Sequence, residues 1–240
     1  MDEEPGDEGR GENLEEKVMA ILNEDLRPER RELVLEFMGH DQKAGTYNER
    51  RFRSDLASEV ERSQSTGKRK SRNTFSLLYI DVDKFKYYND VHGHATGDLV
   101  IKAVGTCLKE ALRPYDREGV YHLHGDEFAV LIQDTSQING LKIAERLKHH
   151  VETTVMTVLE DLLPQGTIID QPVTISVGLY NRTRASDNVS IGQVCKNADA
   201  AMYLSKVTGK VELFNPKIDY GMQILGVKDG RTSSGAGPSA

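Results

Sequence analysis

The stretch Tyr121–Ile132, reading YHLHGDEFAVLI, constrains the fold more than any other part of this 240-residue chain. Two β-prone apolar runs flank His124-Gly125-Asp126-Glu127, and Gly125 supplies backbone freedom at the tip, which together spell a β-hairpin. Strand and helix patterns alternate on both sides of it. A hairpin in the middle of such an alternation indicates an α+β fold, a sheet of mixed direction with helices packed on it. Two adjacent carboxylates, Asp126 and Glu127, stand where the return strand begins. Successive strand side chains point to opposite faces unless the turn twists them. Paired acids on a hairpin tip can hold a divalent cation and keep one oxygen for proton transfer. They equally suit an acidic, solvated turn, and the hairpin alone does not choose.

A second feature lies upstream. Phe75–Ile80 (FSLLYI) is a continuous apolar strand, the pattern of burial on both faces, and it ends in Asp81-Val82-Asp83. A short helical pattern follows over Lys84–Asp90, then Gly93-His94-Ala95-Thr96-Gly97-Asp98 and another helix. Asp83 reads as the N-cap of the short helix. An Asp at the carboxyl end of a central strand, opposite a hairpin with two more acids, suits two-metal chemistry. Three such carboxylates would repel one another without a cation. DVDKFKYYNDVHGHATGD followed by HGDEF resembles the GGDEF domain family, the diguanylate cyclases. The resemblance extends to Asp41–Phe52 (DQKAGTYNERRF), similar to D-x-L-T-G-L-x-N-R-R-x-F, and to Val173–Gly178 (VTISVG) and Ala198–Gly209 (ADAAMYLSKVTG). Four ordered motifs between Asp41 and Val211 are far more specific than any one of them.

The resemblance implies a ferredoxin-like, palm-type core of roughly five strands over 41–214. It implies condensation of two GTP into cyclic di-GMP with release of pyrophosphate, using two Mg²⁺ or Mn²⁺ per site and a homodimer. Asp81, Asp126 and Glu127 are the implied metal ligands, with the backbone carbonyl of Val82, and Glu127 is the implied catalytic carboxylate that activates the 3′-hydroxyl. Asn89 and Asp98 are implied to select guanine, and Lys86, Gly125, Lys206 and Lys210 to contact the substrate. Lys206 and Lys210 lie four apart at a helix end and would face one way. Lys210 stands where Arg is usual, giving a point charge without the bidentate fork. Local capping by Asn89 and Asp98, and a solvated helix end for the lysines, are the plainer alternatives. His124 replaces the first signature Gly, although His tolerates left-handed backbone better than most residues. His122 stands where Arg is common. Lys43, Ala44 and Thr46 replace the usual Leu, Thr and Leu. These departures leave three classes open: an active cyclase, a degenerate domain that binds GTP or a dinucleotide as a regulator, and another palm-type nucleotidyltransferase. Arg113-Pro114-Tyr115-Asp116 resembles the family's product-capturing inhibitory pair, through Arg113 and Asp116. Seven residues separate it from His124 where five are usual, and a helix stop with a surface ion pair is the alternative.

Outside the motifs, residues 1–40 comprise an acidic, Gly-rich start and an amphipathic stripe. Leu14, Val18, Ile21 and Leu22 form it, Pro28 interrupts it, and Leu33, Val34, Phe37 and Met38 resume it. It suits either packing onto its own domain or a dimerising stalk to a sensor or signalling partner. Residues 215–240 end in TSSGAGPSA and read as a disordered tail. A net charge of −7 argues against a nonspecific nucleic-acid binder. Cys107 and Cys195 sit among apolar helical neighbours and read as reduced core residues. There is no membrane-length apolar run and no signal-peptide pattern, which together give the expectation of a cytoplasmic protein.

Overall fold

The computed structural model describes residues 34, 38–64, 74–112, 119–183 and 188–221. The chain divides into two units, Met1–Gly39 and His40–Ala240. The expected helix over 14–38 falls almost wholly outside the described residues. In the second unit the order is β1 (His40–Asp41), β2 (Thr46–Asn48), α1 (Glu49–Gln64), β3 (Phe75–Val82), α2 (Phe85–His92) and α3 (His94–Ala111). There follow β4 (Val120–His124), β5 (Glu127–Gln133), α4 (Gln137–Leu162), β6 (Ile175–Arg182), α5 (Ile191–Thr208) and β7 (Glu212–Leu213). The strands form one sheet in the order β1-β2-β4-β5-β3-β6-β7. It is mixed: β2–β4 and β6–β7 are parallel, and the other pairs are antiparallel.

The fold is α+β, as expected, but the sheet has seven strands where about five were expected. The additions are β1 and β2, short pieces of the opening motif. Tyr47 and Asn48 of β2 find their partners far away, at Tyr121 and His122. Neither piece carries a local strand pattern of its own.

Strand β3 lies at the centre because both its faces are apolar. Leu78, Ile80 and Val82 pack against Val100 and Val104 of α3 and Ile143, Leu147 and Val151 of α4. Phe75 and Leu77 point the other way, onto Phe52 and Leu56 of α1 and Val194 and Ala198 of α5. The period-2 alternation of a strand thus builds two cores, one on each side of the sheet. Full burial of a side chain such as Leu147 or Leu56 contributes roughly 2 kcal/mol. The helix starts follow their caps. Asn48 accepts from the Arg51 N–H, Ser136 from Asn139 and Ser190 from Gln193. Helix α5 stops at Gly209, whose φ of 72° closes it with a left-handed C-cap. The chain from Asn215, read as tail, first turns back: the Tyr220 and Phe214 rings stack at 5.4 Å, and the Tyr220 hydroxyl accepts from the Asn215 N–H.

Helix α5 rests on β6 with no side chain between them at one point. A Cβ on Gly178 would lie 2.0 Å from the Met202 amide nitrogen and 2.5 Å from the Ala198 oxygen. That contact sets how closely α5 lies on β6.

Candidate active site

The carboxyl end of β3 meets the start of β5. Asp81 is paired directly with Glu127, and the Val82 N–H donates to the Asp126 carbonyl at 3.1 Å. Directly opposed residues on antiparallel strands share a face. The sheet register therefore brings Asp81, Val82, Asp126 and Glu127 to one strand end, as expected. Strands β4 and β5 turn through Gly125 and Asp126, with positive φ only at Gly125, the II′ hairpin pattern. His124 keeps strand geometry as the partner of Glu127, so the left-handed backbone considered for it is not used. Its exposed imidazole Nε2 stands 3.4 Å from the Glu127 carboxylate.

Asp81 is buried, and burial pushes its carboxyl up to about 6. Lys206 opposes that rise, while the nearby charges of Asp126 and Glu127 add to it. The Lys206 ammonium reaches Asp81 Oδ2 at 2.7 Å from the last turn of α5. Burial works against the lysine's charge, but the hydrogen bond to Asp81 leaves its pKa raised. Among the described residues no three His, Cys, Asp or Glu side chains converge as a ready-made cation cage. The three acids are neighbours by register, and an ammonium balances the most buried one.

Asp83 does not cap α2. Its Oδ2 accepts from Thr174 Oγ1 at 2.6 Å and its Oδ1 from Ser176 Oγ at 2.7 Å, so it ties the end of β3 to the start of β6. The N-cap position falls to Lys84, in left-handed conformation at φ 54°, with no side-chain cap. The local sequence around Asp83 is that of a cap, whereas both its partners lie far along the chain. A cavity of about 370 Å³ opens here, lined by Asp81, Asp83, Lys84, Ser176 and Lys206.

The implied base-reading pair is brought together across the α2–α3 junction. A Cβ on Gly97 would lie 2.0 Å from Asn89 Oδ1, so the Asn89 amide sits against the backbone next to Asp98. Asp98 Oδ1 is 2.8 Å from the Lys43 ammonium, a partner that sequence reading did not supply. Lys86 is exposed and pairs with Asp90 one turn on, at 3.1 Å. Lys210 lies beyond the Gly209 cap, so helical spacing does not align it with Lys206 as the sequence suggested. Arg113 and Asp116 lie outside the described residues.

The opening motif braces this assembly. Asp41 accepts from the Ala44 N–H at 2.9 Å, and its other oxygen meets His122 Nδ1 at 2.9 Å. The His122 ring is buried, and its Nε2 lies 3.1 Å from the Gly125 carbonyl at the hairpin tip. His122 thus stands between the opening loop and the signature turn. Burial raises the Asp41 carboxyl, but the bonds from His122 and Ala44 outweigh it and leave the pKa below its usual value.

Known proteins resemble this chain in sequence and in fold. The profile of the family "Diguanylate cyclase, GGDEF domain" matches residues 38–212. Diguanylate cyclase A of Treponema denticola is 34% identical over 146 residues, covering 61% of this chain and 36% of that protein. The response regulator PleD of Caulobacter vibrioides is 33% identical over 176 residues, covering 73% of this chain and 36% of that protein. The chain thus spans about a third of the length of these curated relatives. Diguanylate cyclase SiaD of Pseudomonas aeruginosa, solved in complex with its activator SiaC, superposes with a TM-score of 0.61 at 27% identity. That match covers 82% of this chain and 71% of SiaD. The coiled coil and GGDEF domain of DgcB from Caulobacter crescentus, solved in complex with c-di-GMP, shares the fold with a TM-score of 0.64 at 24% identity. It covers 83% of this chain and 95% of that one. With the family's profile matching residues 38–212, most of its length, and the same fold in a cyclase of 27% identity, this chain belongs to the GGDEF domain family of diguanylate cyclases.

Proposed function

We propose that this chain condenses two GTP into cyclic di-GMP, releasing two pyrophosphates, through a pair of domains that each present one nucleotide. The observation that carries the reading is the register of β3 against β5, which sets Asp81 opposite Glu127 and bonds Val82 to Asp126. Asp81, Asp126, Glu127 and the Val82 carbonyl are the hard oxygen donors that Mg²⁺ or Mn²⁺ favours. Two such ions, when bound, supply positive charge at the attacking 3′-oxygen and the α-phosphate. Glu127 takes the proton from the 3′-hydroxyl. Lys206 leaves Asp81 for the triphosphate, with Lys210, Lys86 and the backbone at Gly125 completing the phosphate side. Asp98 accepts from the guanine N1–H and 2-amino group beside Asn89, and adenine offers no such pair of donors. Each domain holds one nucleotide, so joining two nucleotides twice needs two domains face to face.

A second reading draws on His124. Its imidazole beside Glu127 adds bulk where the family has a glycine, which suits a domain that holds nucleotide without turning it over. Incubation of the purified chain with GTP and Mg²⁺, followed by mass analysis of the nucleotides, separates the two. Cyclic di-GMP is the expected product, and Glu127→Gln is expected to lower turnover about a hundredfold or more, the scale of a lost general base. Near-normal turnover by that variant removes Glu127 from the mechanism. Bound GTP with no product from the intact chain establishes the regulator.

A further inference from the structure

We infer that Lys43 is a specificity-determining residue, which reads the 6-position of the purine in concert with Asp98. The inference rests on the assignment of Asp98 to the base. The Lys43 ammonium lies 2.8 Å from Asp98 Oδ1, and both side chains are about half exposed, at 49% and 52%. The pair is not saturated. An ammonium has three donors, and a carboxylate has about four acceptor positions. That single contact leaves two donors on Lys43 and most of the acceptor positions on Asp98.

Read along its surface, the pair presents a donor at Nζ, an acceptor at Oδ1 and an acceptor at Oδ2. The Watson–Crick edge of guanine presents the complement in the same order: the O6 acceptor, the N1–H donor and the 2-amino donor. Adenine presents a 6-amino donor and an N1 acceptor, which oppose the pair at both positions. A lone carboxylate is a weaker filter, because it can accept from the adenine 6-amino group. With the ammonium beside Oδ1, that amino group would meet another donor.

The geometry of the loop keeps Lys43 in place. Its neighbour Ala44 is fully buried, with its N–H on Asp41 Oδ1. The Ala44 carbonyl oxygen lies so close to α3 that a Cβ on Gly105 would be 2.3 Å from it. The Gly45 carbonyl accepts from Lys109 Nζ at 2.7 Å. The backbone just after Lys43 is therefore pinned to the helix that carries Asp98. On the base side, the Asn89 amide and the Phe85 ring edge both approach Gly97, so the same corner holds the other polar and aromatic groups a purine would meet.

The test measures binding of the α,β-methylene analogues of GTP and ATP, which cannot release pyrophosphate, to the full chain with Mg²⁺. Lys43→Met is expected to weaken the GTP analogue about tenfold, the scale of one lost hydrogen bond to a charged group, and to leave the ATP analogue unweakened. Lys43→Arg keeps a donor and is expected to restore most of the preference. If Lys43→Met binds the GTP analogue as tightly as wild type, or more tightly, the ammonium is a bystander or a competitor and the inference is wrong. Asp98→Ala separates the two layers. Retained preference for guanine in that variant overturns the assignment of Asp98 and the role of Lys43 with it. Lost preference in Asp98→Ala, but not in Lys43→Met, overturns the role of Lys43 alone.

Discussion

Asp41 shows how one side chain couples stability to proton concentration. Its pKa is lowered from the usual 3.8 by the bonds from His122 and Ala44, so the unfolded chain takes up the proton more readily than the folded one. The stabilisation is in full force above the unfolded value and is lost as pH falls through the lower folded value. Asp41→Asn is expected to lower stability at pH 7 by about 1–2 kcal/mol, the scale of hydrogen bonds to a charged group. Urea midpoints of the two proteins should draw together below about pH 4; a gap that stays constant into acid places the effect elsewhere than in the charge. Gly97 makes the opposite kind of case, since a methyl there would strike the end of the Asn89 side chain and only graze the Phe85 ring at 3.4 Å. Gly97→Ala is expected to leave the melting temperature nearly unchanged and to raise KM for GTP about tenfold, by turning one hydrogen-bonding amide away from the base. An equal loss of stability and affinity would show a packing defect instead.

Among the elements, the α5–β6 contact is the least forgiving. A side chain at Gly178 would strike helix backbone, which has no rotamer through which to yield. Gly178→Ala is expected to cost about 3 kcal/mol or more, at the upper end for overpacking. Lys206 should shift away from Asp81 with the helix, so soluble variant should also show weakened GTP binding. A stable variant with normal turnover would mean that α5 is free to slide. The same element shows what could be read before the fold was known. The periodic spacing of Val194, Ala198 and Met202 announces a helix, and Phe75–Ile80 announces a buried strand, because those signals are local and repeat. Strand β2 was missed because its pairing with β4 is made by position, not by pattern. Asp83, Lys43 and His122 were seen as residues, but their partners at Thr174, Asp98 and Asp41 are joined to them only by the folded sheet. The acids at the site were legible because their spacing matches a family motif, and the ion pair between Lys206 and Asp81 was not, because no motif states it.

At the scale of the whole molecule, His40–Ala240 forms its own unit, and the family match begins at residue 38. Residues 1–39 carry the amphipathic stripe, and we propose that it brings two domains together. Removing them is expected to leave the melting temperature of the rest unchanged, while specific activity falls and becomes steeply dependent on protein concentration. Activity that is unchanged at high dilution would make the stripe a packing helix only. The central place of β3 also has a bearing on how the protein comes into being. Its two hydrogen-bonded edges are completed by strands from the middle and the last third of the chain, so its contacts are among the most distant in sequence and its assembly belongs to the slow class of folding reactions. During synthesis, Asp81 leaves the ribosome long before Glu127, and Lys206 is later still. Until β6 has emerged, one edge of an apolar strand stands unpaired, a hazard that favours rapid completion or chaperone cover. In return, no unfinished chain can bring these three side chains together.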